Sequence, residues 1–262
     1  MDMHALEIAF NLPFQYPKYR SKPAGYLSHM IGHEGPGSLH SYCKQKGWLV
    51  GLEAGSSPLG RGFDAFRITL MMTPEGTSKF PLPFSSFLSY STSGHWREVL
   101  IATYKYISML KSSKLEDFHH REIQAMSSIR YRFKEKRRPE EYVTTLSDVL
   151  QRPYTRDCLL SAPSLVWEYD ESEIREILDL LDVSTGRVML MAKAPESLSS
   201  TGTWLNEQWY GTQYQVEKLP QDLVGRASMP NDIPELFLPG PNPFIPVNLE
   251  VQRLEGAEVC TT

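Results

Sequence analysis

Histidine, glutamate and glycine crowd one short run, His29-Met30-Ile31-Gly32-His33-Glu34-Gly35-Pro36-Gly37-Ser38. His29 and His33 stand four apart, a helical spacing that brings two imidazoles to one face, as a metal pair or as a hydrogen-bonded helix face. A zinc peptidase needs more. His-x-x-Glu-His or His-Glu-x-x-His would set a carboxylate base beside two ligands, and the sequence contains neither. Its nearest approach, His119-His120-Arg121-Glu122-Ile123, has isoleucine where the second histidine belongs, and is expected to form the solvated face of a helix. Gly-His-Glu-Gly-Pro-Gly-Ser lacks the lysine of a phosphate loop. What the run does offer is bare backbone. Gly32, Gly35 and, further on, Gly55 let another chain approach main-chain N–H and C=O groups closely. A cationic stretch from Arg130 to Arg138, interleaved with Tyr131 and Phe133, is the other candidate, as a helix carboxyl end or as an anion site.

These residues need elements to hold them. Leu6, Ile8, Phe10 and Leu12 alternate with Ala5, Glu7, Ala9 and Asn11, the period of a strand. Ser21 and Pro23 open a helix with Tyr26, Leu27, Met30 and Ile31 on its apolar face, ended by the glycine-proline break. Ser38 caps a second helix with Leu39, Tyr42 and Cys43 inward and Gly47 at its end. Trp48 to Glu53 reads as a strand, Ala54 to Gly62 as a loop, and Phe66 to Met72 as an alternating strand. Three helices follow, marked by Trp96 to Leu110, by Phe118, Met126, Ile129 and Phe133, and by Tyr142, Leu146, Val149 and Leu150. Asp170 with Glu173 starts another, and Val188 to Ala192 reads as a short buried strand. Trp209, Tyr210 and Tyr214 read as core or interface aromatics. The pattern gives an α+β fold, an antiparallel sheet with helices packed on one face.

Seven prolines between Pro220 and Pro246 predict an extended linker without regular structure, so the chain divides into a domain over 1–219 and a linker over 220–262. Residues 77–94, rich in Ser and Phe and aperiodic, read as an insertion from an unspliced intron or gene-model error. A net charge of −4 argues against a dedicated nucleic-acid binder, and no apolar run is long enough to span a membrane. Three widely spaced cysteines and no leader pattern at Met1-Asp2-Met3-His4 point to the cytoplasm.

Four blocks, HMIGHEGPGSLHSYCKQKGW, RYRFKEKRRPEEY, EQWYGTQYQVEKLP and LPGPNPFIPVN, resemble in order the second, non-catalytic domain of the insulysin-like branch of the pitrilysin-type inverzincin zinc metallopeptidases. The resemblance covers almost the whole chain. It implies a chamber-forming α+β domain whose partners are the catalytic and carboxy-terminal domains of the same enzyme. Zinc would belong to the complete enzyme, with no cofactor or catalytic residue in this chain and no hydrolysis by it alone. It also implies an exosite that pairs with the amino terminus of peptide substrates. By position that site is His29, Met30, Ile31, Gly32, His33, Glu34 and Gly35 with Leu52, Glu53, Ala54, Gly55 and Ser56. Ala54 stands where the family has glycine, and Glu53 where it is apolar. Arg138 matches a position that contributes to binding ATP or polyphosphate.

Overall fold

The computed structural model describes residues 4–60, 62–73, 95–192 and 203–250. The segments 77–94 and 251–262 lie outside the described residues. Strand β1 (Ala5–Pro13) follows the alternating pattern, burying Leu6, Ile8, Phe10 and Leu12. It is a central strand of a four-stranded sheet ordered β2-β3-β1-β4, every pair antiparallel. Here β2 is Leu49–Gly60, β3 is Phe63–Met72 and β4 is Arg187–Met191. The register sets Leu6 opposite Leu70 and Ile8 opposite Ile68, so one sheet face is continuously apolar. On the other face Glu7 pairs with Arg67 at 3.7 Å.

The apolar face carries α1 (Pro23–Ile31), α2 (Leu39–Gln45), α3 (Trp96–Ser112) and α6 (Glu171–Leu180). Ser38 caps α2 by accepting the Ser41 N–H at 3.0 Å, and Asp170 caps α6 by accepting that of Glu173 at 3.1 Å. The Glu173 carboxylate does not reach back to the cap; it takes the Ser21 hydroxyl, tying α6 to the entrance of α1. Tyr106, fully buried at the middle of α3, donates its hydroxyl to the Met30 carbonyl at 2.9 Å and so anchors the last turn of α1.

Several sequence expectations need correcting. The loop foreseen from Ala54 to Gly62 is largely strand: β2 continues to Gly60 and forms a hairpin with β3. Register irregularities at Leu49/Gly51 and Pro58/Gly60 absorb its proline and glycines, which an edge strand tolerates. In α4 (Asp117–Arg132) His119 and His120 are not solvated, being 1% and 6% exposed; they wedge against Tyr26 and Tyr169, while Phe133 is exposed. Helix α5 (Pro139–Val149) buries only Val149, leaving Tyr142 and Leu150 exposed. Strand β4 is a half-exposed edge strand, not a buried one, since among the described residues it pairs only with β1.

The proline-rich stretch is not without regular structure. Between its prolines it holds α7 (Gln221–Ala227), which sets Leu223 and Ala227 against α3. The chain then crosses α3, where Lys105 Nζ bonds the Pro230 carbonyl at 2.8 Å and Asp232 at 3.2 Å. It continues over the break after α1, where Phe237 N–H donates to the Gly37 carbonyl at 3.0 Å. It ends on α4, where Asn242 N–H donates to Glu122 at 2.7 Å. Residues 220–242 are thus a strap. Before it, the two-stranded ribbon β5 (Leu205–Asn206) and β6 (Gln213–Tyr214) carries Trp209 and Tyr210 at its turn, 82% and 91% exposed, so they are not core.

Candidate functional site

The two sequence segments singled out for their bare backbone meet in space. A Cβ placed on Gly32 would lie 3.9 Å from the Ala54 nitrogen and 4.0 Å from its Cβ, and one on Gly55 would lie 3.9 Å from the Ser28 hydroxyl. The carboxyl end of α1 therefore abuts the middle of β2. Helix packing does the positioning: Tyr26, Leu27, Met30 and Ile31 fill the core beneath, and Tyr106 holds the last turn from below.

Strand β2 lies at one end of the sheet. Among the described residues its only strand partner is β3, and no backbone bond outside that ladder involves Gly51 to Gly60. Such an edge presents main-chain donors and acceptors that another extended segment can use. Exposure along the site is uneven. Glu34, Glu53 and Ser56 are exposed; His29, Gly32, His33, Gly35, Ala54 and Gly55 are half-buried; Met30, Ile31 and Leu52 belong to the core. Side chains of those last three hold the scaffold, leaving only their main chain for a ligand.

Charge at the site is one-sided. His33 Nδ1 accepts the Gly35 N–H at 3.0 Å, which shapes the turn and leaves the ring proton on Nε2. Burial pushes the His33 pKa below the ordinary histidine value, against the pull of Glu122 and Glu34. Burial, then the neighbouring His33 and His119, lowers His29 as well. Both rings are neutral at pH 7, so the exposed Glu34 and Glu53 carboxylates set the sign of the surface.

The histidines do not form a metal centre. Their ring centroids are 6.0 Å apart, one ring nitrogen is already engaged, and no group of three or more His, Cys, Asp or Glu among the described residues is placed to hold an ion. The donor set does not fit the zinc that the resemblance attaches to the complete enzyme. Arg138 lies apart, at the amino end of α5, exposed beside Arg130, Arg132, Lys134, Lys136 and Arg137. None of these six forms an ion pair among the described residues. Sequence reasoning missed Phe237, whose ring occupies the space a Gly37 side chain would take, and Tyr106; no local pattern marks either contact.

Comparison with known proteins fits this arrangement. Residues 1–127 match the peptidase M16 inactive domain, and residues 131–261 match the middle or third domain of peptidase M16. The chain belongs to the M16 peptidase family. It is 31% identical over 255 residues to the A-factor-processing enzyme of Saccharomyces cerevisiae, covering 97% of this chain and 23% of that protein. To the insulin-degrading enzyme of Homo sapiens it is 32% identical over 237 residues, 90% of this chain and 21% of the relative. The fold superposes on the crystal structure of pitrilysin with a TM-score of 0.78 at 22% identity, over 95% of this chain and 24% of pitrilysin. The chain spans under a quarter of the length of these relatives. At the level of family and fold the resemblance in the sequence blocks holds: these are non-catalytic M16 domains of the insulinase type. Among the described residues no helix is long and apolar enough to cross a membrane.

Proposed function

We propose that this M16 segment captures the amino termini of peptides by strand addition, for cleavage by the catalytic part of a larger zinc metallopeptidase. The observation that carries the reading is the position of β2, a sheet edge with no second strand partner among the described residues, lying against the helix break with two exposed carboxylates beside it. Main-chain pairing takes affinity without demanding a sequence, which suits an enzyme that accepts many peptides. Glu34 answers the peptide α-ammonium, largely protonated at pH 7 with a pKa of about 7.7–8.0. Glu53 adds attraction for a basic residue near that end. Titration of a fluorescent peptide into the full chain tests this, with free and amino-acetylated forms compared. The free peptide binds more tightly and Glu34→Gln removes the difference; equal binding of both forms by the unaltered chain would sink the role of Glu34.

A second reading rests on the six cations from Arg130 to Arg138 that form no ion pair among the described residues. It makes that surface a polyanion site for ATP or polyphosphate, whose contact with phosphate weakens with salt. Arg138→Ala then lowers ATP affinity and leaves peptide affinity unchanged. Equal ATP binding by the variant speaks against the site.

A further inference from the structure

Lys22, immediately before the first turn of α1, combines four unusual properties. It is the only non-glycine residue with positive φ among those described, at +46°, a conformation that costs about 1 kcal/mol or more for a side chain with a Cβ. It is a cation at the positive end of a helix dipole. Its ammonium has no carboxylate partner among the described residues, and burial alone lowers its pKa to about 8. It lines a cavity of about 60 Å³ together with Tyr26, Ile123, Val166 and His120.

His120 supplies the complement. It is 94% buried, being 6% exposed, and its Nε2 has no hydrogen-bond partner. Burial lowers its pKa, against the pull of the Glu168 backbone and Asp117, so the ring is neutral and one of its nitrogens carries a lone pair. Buried polar atoms without partners are rare enough to need a reason. Lys22 and His120 line one space that admits a molecule of a few non-hydrogen atoms.

We propose that Lys22 is a carbon dioxide acceptor whose Nζ forms a carbamate in this cavity while His120 takes the displaced proton. The neutral amine lone pair attacks the carbon, the new N–C bond forms as one C=O electron pair moves onto oxygen, and the N–H proton passes to Nε2. The products are a carbamate anion and an imidazolium; nothing is oxidised or reduced. The exchange replaces a cation by an anion at the amino end of α1, where the dipole favours it, and gives Nε2 a donor's role toward a carbamate oxygen.

The test traps carbamates by alkylating the full chain with triethyloxonium in bicarbonate buffer and maps the carboxyethyl groups by peptide mass spectrometry. Well below both pKa values, a lysine at about 8 has roughly two orders of magnitude more neutral amine than a solvated one, so label should concentrate at Lys22. Label absent from Lys22, or spread evenly over the surface lysines, overturns the proposal. His120→Phe lowers the yield at Lys22; an unchanged yield overturns the proton-acceptor role. Bicarbonate also raises Tm for the unaltered chain but not for Lys22→Arg, and an equal rise in both counts against a carbamate at this helix end.

Discussion

Gly37→Ala probes the seat of the strap on the break after α1. Gly37 has φ +81°, and a Cβ there would fall 2.5 Å from the Phe237 ring. Two costs are separable. Holding alanine in the left-handed region costs about 1 kcal/mol, and it does so whatever Phe237 does. Expelling the ring also breaks the Phe237 N–H to Gly37 C=O bond, worth about 1 kcal/mol net, with some packing lost besides. Phe237 is 51% exposed, so that packing is modest. The sum is about 2–3 kcal/mol in the native background and about 1 kcal/mol once Phe237→Ala has removed the ring. Urea unfolding of the four proteins of this cycle measures both. The double variant should cost about 1–2 kcal/mol less than the two singles added. Strict additivity would refute the reasoning, because it would mean that Phe237 does not fill the place of a Gly37 side chain.

Tyr106→Phe leaves the Met30 carbonyl without its buried donor and should cost about 1–2 kcal/mol, read from the urea midpoint; a loss below a few tenths would show that bond to be idle. Ala54→Gly should tighten peptide binding several-fold while lowering stability by about 0.5–1 kcal/mol, and an unchanged Kd removes the crowding argument at the β2 edge. Burial holds His29, His33, His119 and His120 below the ordinary histidine pKa, so the unfolded chain binds more protons near pH 6 than the folded one. Stability should be flat above about pH 7 and fall as pH drops through 6.5 toward the lower folded values. His119→Phe should flatten that slope in urea midpoints taken across the range, and a slope it leaves intact would assign the acid loss elsewhere.

Legibility differed between elements for physical reasons. β1, α1, α2 and α3 each bury a clean periodic face, so spacing alone located them. Past Glu53 the sequence of β2 reads as a loop because Ala, Gly, Ser and Pro carry little strand propensity. Its conformation comes from pairing with the strongly patterned β3, a contact that no window along β2 reveals. His119 and His120 misled in the opposite sense: polar residues suggest solvent, yet the aromatic rings of Tyr26 and Tyr169 enclose them. The prolines between Pro220 and Pro246 allow one short helix because Pro220 precedes its first turn and Pro230 follows its last, positions where proline costs no hydrogen bond. Gly32, Gly35 and Gly55 were visible as bare backbone; that they lie together against an open edge is a property of the fold.

The contact between Lys105 and the strap governs where this polypeptide can be shortened for expression. The lysine side chain is 5% exposed, in the middle of α3, and its Nζ partners, Pro230 and Asp232, come from more than a hundred residues downstream. Ending the gene before codon 230 would remove both Nζ partners together with the segment that crosses α3. Leu223 and Ala227, which α7 buries against α3, would stay in such a product, but the tie that draws the following chain across α3 would not.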